Sequence, residues 1–137
     1  MKSNLPRRYA QSAALPYRHD GNGLEVLLVT SRSGRRWVVP KGLIEPGLSA
    51  AASAAKEALE EAGVEGRIGK RPLGSYSYEK WGGVCDVEVF PLAARVLYDE
   101  WDEDDRQREW VSLDEAVRRL EERDLKRLVE RLPKVAL

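Results

Sequence analysis

Apolar positions crowd together early in the chain and become periodic later. Residues 11–18, QSAALPYR, and 24–31, LEVLLVTS, read as two strands, and the HDGNG stretch between them has the Asp, Asn and Gly residues of a tight turn. A hairpin is the expected result. Residues 36–40, RWVVP, predict a short third strand ended by Pro40, after which Gly42 and Pro46-Gly47 impose an irregular loop. From position 49 the alanines and leucines favour helix, with Ser49 as its cap and Gly63 as its stop, so a helix is predicted over 49–62.

Residues 72–97 predict two further extended segments, paired as a hairpin around Trp81-Gly82-Gly83. An acidic loop, YDEWDEDDRQREW, follows. Ser112 then stands three residues before Glu115, the spacing of a capping box, and Leu113, Ala116, Val117 and Leu120 share one helical face. Leu125, Leu128, Val129 and Leu132 repeat that pattern, as a final helix or a continuation of the one before. Strands in antiparallel hairpins, interspersed with helices, predict a mixed sheet with helices packed on it, an α/β or α+β sandwich.

Composition narrows the picture. The 137 residues, 42% of them hydrophobic, suit one domain over 1–137. With 23 basic and 23 acidic residues, nothing supports a general attraction to a nucleic acid polymer or an anionic membrane, so any polyanion must be recognised locally. A single cysteine, Cys85, and a single histidine, His19, exclude an internal disulfide and a Cys or multi-His zinc site. A reducing cytoplasm is the expected setting, since the amino-terminal stretch has no apolar run of signal-peptide length and no later segment approaches a membrane span.

The helix predicted over 49–62 carries the candidate chemistry. At about 100° per residue, Glu57, Glu60 and Glu61 fall within roughly a 100° arc and form one carboxylate patch. Ala51, Ala52, Ala55, Ala58, Leu59 and Ala62 form the opposite, sheet-facing side in this reading, with the glutamates turned outward. Like charges at this spacing repel, and only Lys56 offsets them, so the patch is unfavourable until a cation binds.

Gly42, Glu57, Ala58, Glu60, Glu61, Gly63 and Val64 stand at the positions of the Nudix box, G-x5-E-x7-R-E-U-x-E-E-x-G-U, where U is aliphatic. The stretches QSAALPYR, LLVTSRSGRRWVVPKGLIEPG and REWVSLDEAVRRL extend this resemblance to the branch that hydrolyses diadenosine polyphosphates and diphosphoinositol polyphosphates. Two positions depart from the box: Leu48 replaces its first glutamate, and Lys56 replaces arginine, keeping the charge without the planar fork.

The resemblance implies a three-layer α/β/α sandwich with a mixed sheet and a phosphoanhydride hydrolase using Mg2+, with Mn2+ as a substitute. It implies Glu57 and Glu61 as principal metal ligands, Glu60 joining when further metal enters, and the Lys41 carbonyl beside them. The general base is then a box glutamate or an acid from a distant loop, for which Glu103 and Asp104 are the candidates. Arg32, Arg35, Arg36 and Lys41 cluster before the box as charge-assisted donors to a small polyphosphate substrate. Tyr76, Tyr78 and Trp81 are candidates to stack on a base. Leu48 keeps open a second reading, a weakened domain that binds such a ligand, or a protein partner, without turnover. Monomer and homodimer both fit.

Overall fold

The computed structural model describes residues 5–136, so the first four residues of the stretch read against a leader lie outside it. Strand β1 (Arg7–Asp20) turns back into β2 (Gly23–Thr30), with Tyr17 opposite Val26 and Asp20 opposite Gly23, as the turn residues require. Strand β3 (Trp37–Val38) pairs with β2 and is shorter than expected. The loop expected at Gly42 contains a short strand instead, β4 (Lys41–Leu43), which lies against β1 with Gly42 opposite Ser12.

Helix α1 (Ala50–Ala62) begins and ends where expected. Ser49 Oγ accepts the Ala52 N–H at 3.0 Å, and Gly63 closes the helix in the left-handed region at φ 62°. Strand β5 (Val64–Ile68) follows at once, then the predicted hairpin of β6 (Gly74–Lys80) and β7 (Gly83–Leu97). The long β7 runs parallel to β1 and antiparallel to both β5 and β6, which makes the sheet mixed. Strand β8 (Arg108–Ser112) joins β2, so the end of the expected acidic loop belongs to the sheet.

Helix α2 (Leu113–Arg119) is capped by Ser112, whose hydroxyl accepts the Glu115 N–H. The reciprocal half of the capping box is replaced, because the Glu115 carboxylate accepts hydrogen bonds from Arg118 and Arg119. Helix α3 (Arg123–Arg131) is separate from α2 and runs into a short 3-10 turn, Leu132–Lys134.

Each face of the sheet has its own core. Val26 and Leu28 pack with Ala13, Leu15, Val87 and Val89 under Leu120, Leu125, Leu128 and Val129 of the α2–α3 region. Leu27 and Val29 point the other way and meet Ala54, Ala58 and Ala62 of α1, together with Phe90 and Leu92. Burial on both faces explains why β2 reads as a continuous apolar run rather than an alternating one. The result is the three-layer α/β/α arrangement, with alanines letting α1 lie close on the sheet.

The buried side of α1 differs from the expected one. Ala54, Ala58, Glu61 and Ala62 are buried whereas Ala52 and Leu59 are exposed, so the helix is rotated and one glutamate turns inward. Among the described residues no helix is long and apolar enough to cross a membrane.

Candidate functional site

A cavity of about 580 Å³ opens between β4, α1, the β6–β7 hairpin and the segment before β8. Four carboxylates line it: Glu45, Glu57, Glu61 and Glu103. Arg32, Arg36, Lys41, Lys80 and Arg106 line it with them. A cavity lined by both signs of charge can seat an anionic ligand together with its counter-cation.

Glu57 and Glu61 are four residues apart and therefore side by side on α1. Glu61 is only 5% exposed. Burial, reinforced by the hydrogen bond with Glu57, pushes its carboxyl up to about 8, against the opposing pull of Arg106. Burial also raises Glu57, offset in part by the same hydrogen bond. A cation beside the pair would favour the charged form of both acids. Gly42 makes room for Glu57, because a Cβ there would lie 2.3 Å from Glu57 Oε1.

Glu60 does not join them. It lies on the far side of Glu57 from Glu61 and lines an adjacent groove with Lys56, Leu59 and Tyr98. Helical periodicity placed all three within one arc, but the cavity meets only half of it. Among the described residues no three acidic, His or Cys side chains are grouped tightly enough to enclose a metal by themselves. The donor set nonetheless fits magnesium, which commonly takes one or two carboxylates and completes its shell with water and substrate oxygens.

The segment expected as an acidic loop is docked on the carboxyl end of α1. Glu103 N–H donates to Glu60 O at 3.0 Å, Trp101 Nε1 to Glu61 O at 3.0 Å, and Arg108 to Ala62 O at 2.8 Å. Tyr98 N–H donates to Gly63 O, and Arg108 stacks on Trp101 at 3.8 Å. These donors satisfy carbonyls that the helix itself leaves open.

Docking carries Glu103 into the cavity and leaves Asp104 exposed outside its lining. Arg106, whose side chain is 9% exposed, holds Glu103 at 2.8 Å, donates to Thr30 O at 2.8 Å and stands 3.7 Å from Glu61. Sequence reasoning passed over Arg106; its signal was a basic residue interrupting a run of acids. Glu45 was also passed over, although it is the carboxylate nearest to Gly42 in the following loop.

Of the expected phosphate contacts, Arg32, Arg36 and Lys41 line the cavity and Arg35 does not. Arg32 approaches Glu103 at 3.4 Å, and Arg36 approaches Glu121 at 3.4 Å. Burial lowers the Lys41 ammonium from its usual range, with Glu61 opposing the shift. Among the aromatic candidates, Tyr76 is buried in the core, and Tyr78 lines the cavity while donating its hydroxyl to Gln11 at 2.8 Å. Trp81 is 52% exposed at the cavity rim and braced edge-on by Tyr9 at 5.3 Å.

Comparison with known proteins agrees with this geometry. Nudix hydrolase 21 of Arabidopsis thaliana is 37% identical over 110 residues, covering 75% of this chain and 55% of that protein. The mouse (Mus musculus) diphosphoinositol polyphosphate phosphohydrolase 3-alpha is 32% identical over 129 residues, 88% of this chain and 77% of the relative. The chain thus spans little more than half the length of the plant relative. Among solved structures, an Ap4A hydrolase of C. elegans superposes with a TM-score of 0.74 at 18% identity, over 96% of this chain and 100% of that one. A MutT protein from Methanosarcina mazei does so with a TM-score of 0.74 at 23% identity, over 97% of each. At these identities the structures speak to the fold alone. The NUDIX domain model matches residues 7–132, and with the box glutamates, the mixed sheet and the cavity beside α1 already described, the chain belongs to the Nudix family.

Proposed function

We propose that the chain hydrolyses a phosphoanhydride bond in a small polyphosphate substrate with the aid of a divalent metal, magnesium in the first place and manganese as a substitute. The observation that carries this reading is the convergence of Glu57 and Glu61, beside the space left by Gly42, on a cavity that cations also line. Glu57 and Glu61 would hold the ion, with the Lys41 carbonyl beside them. Bound there, it supplies charge neutralisation on the phosphate chain and activation of water.

The protein's own groups do the remaining work. Arg32, Arg36, Lys41 and Lys80 bind the phosphate oxygens and orient the chain. Glu103, inside the cavity and held by Arg106, accepts the proton of the attacking water. Asp104, outside it, has no part in this scheme.

For the substrate, Trp81 favours a dinucleoside polyphosphate. Trp81 and Gly82 occupy the two central positions of the β6–β7 turn with φ of 56° and 68°. Asparagine or glycine suits the first of these positions, and a bulky residue there is strained. An indole kept in that conformation, exposed at the cavity rim, is placed to stack on a planar base. The second reading, a diphosphoinositol polyphosphate, is favoured by the name of the mouse relative and needs no stacking surface.

Phosphate release measured with magnesium over both substrate classes tests the proposal. Turnover that stops with EDTA is expected, and Trp81→Ala should raise KM for dinucleoside polyphosphates about tenfold or more, with KM for diphosphoinositol polyphosphates unchanged. Equal effects on the two classes would move the choice to the second. Metal-dependent binding without turnover of either would instead identify a domain weakened by Leu48.

Gly42→Ala provides a local check. Its Cβ would meet the end of a flexible side chain and not backbone, so the melting temperature should hold while Glu57 is displaced. Activity should fall roughly 10- to 100-fold, in the range seen when groups that orient metal ligands are lost. Wild-type kinetics in this variant would mean that Glu57 is not where the chemistry is.

A further inference from the structure

The departures from the box at positions 48 and 56 both adjoin Glu45, Leu48 through its backbone and Lys56 through its side chain. Lys56 precedes Glu57 directly and stands one helical turn before Glu60, on a flexible stem. An ammonium there competes with a divalent ion for the carboxylates of α1. In the structure its nearer partner is Glu45: Lys56 Nζ lies 2.7 Å from Glu45 Oε1, with Glu60 Oε1 of α1 farther off at 3.9 Å.

Glu45 is fixed in turn. Its N–H donates to the buried hydroxyl of Ser53 at 3.1 Å, and its carbonyl accepts the Leu48 N–H at 3.1 Å, closing a tight turn against α1. Leu48, at the box position of a glutamate, offers an exposed apolar side chain and no acceptor. Glu45 also lines the cavity with Glu57 and Glu61.

We propose that Glu45 is a positioning residue that holds the Lys56 ammonium off Glu57 and Glu61, leaving those two carboxylates open to the metal, and so supplies the loop carboxylate that Leu48 lacks. This rests on the metal-dependent reading above. It does not depend on the pair stabilising the fold, because both partners are well exposed, 44% and 42%, and such pairs contribute little to stability.

The test is Mn2+ binding by calorimetry on the full chain, without substrate, in a double-mutant cycle. Glu45→Gln should weaken Mn2+ binding roughly tenfold with an unchanged melting curve. In a Lys56→Gln background the same substitution should have almost no effect, because no ammonium is left to restrain. Glu45→Asp should keep part of the wild-type affinity. An unaltered Mn2+ affinity in Glu45→Gln would overturn the inference. So would an equal loss with and without Lys56, which would mean that Glu45 acts on the metal through its own charge. Absence of Mn2+ uptake by the wild-type chain would sink the metal reading itself and the inference with it, an outcome separable from the other two.

Discussion

Glu61→Gln is expected to reduce phosphoanhydride hydrolysis by about a thousandfold or more, measured as kcat/KM at saturating magnesium. Glutamine keeps the shape and a hydrogen-bonding partner for Glu57, but it cannot carry the negative charge that binds the ion. The charge stabilisation a metal supplies in such reactions is several kcal/mol, which corresponds to a loss of that order. The fold should not suffer. In the metal-free protein the Glu61 carboxyl is pushed up from 4.5 to about 8, so the folded state holds its proton more tightly than the unfolded chain. The resulting contribution to stability is full below about 4.5 and is lost as pH rises through about 8. Thermal melts in EDTA should show this decline in the wild type and a flatter profile in Glu61→Gln. Full activity in the variant, or a melt that collapses at neutral pH, would contradict the role given to this residue.

Gly66→Ala should have the largest effect on stability. Gly66 sits at a register shift in β5, paired with Ala94 of β7, and a Cβ there would lie 2.0 Å from the Ala93 carbonyl oxygen. That neighbour is backbone, fixed by the sheet, so one of the two strands must move. Overpacking of this kind costs about 1–3 kcal/mol, sometimes more, and a lowering of the melting temperature by roughly 5–10 °C is expected. Gly21→Ala is the matched control, since a Cβ there meets nothing within 4 Å. Equal melting temperatures for the two variants would show that β5 does not lie against β7 as described.

The parts of the fold legible in the sequence were those with local signals. Ser49 and Gly63 bound α1 because an accepting hydroxyl and a left-handed glycine act within one turn of the chain. The two hairpins were legible from their turn residues. Strands β5 and β8 were not, since VEGRI is short and interrupted by glycine, and REWVS follows a run of acids. Both are strands because β7 and β2 offer them partners, and that context is tertiary.

The candidate site divides in the same way. The spacing of the glutamates was visible, but which of Glu60 and Glu61 turns toward the sheet depends on how α1 is rotated against it. The sequence indicated an acidic loop before β8 but not its docking, because composition does not reveal that the end of α1 leaves carbonyls in need of donors. Arg106 and Glu45 matter through contacts with residues distant in sequence, and no periodicity reports those.

The docking of residues 98–108 on α1 also constrains how this protein can change. Lengthening or swapping that segment to suit a new ligand would disturb the lattice of donors at the helix terminus, and the disturbance would reach Glu61 before any new side chain met its target. Diversification is therefore easier at the β6–β7 hairpin tip, where Trp81 projects from a turn that shares no hydrogen bond with the acidic helix among the described residues.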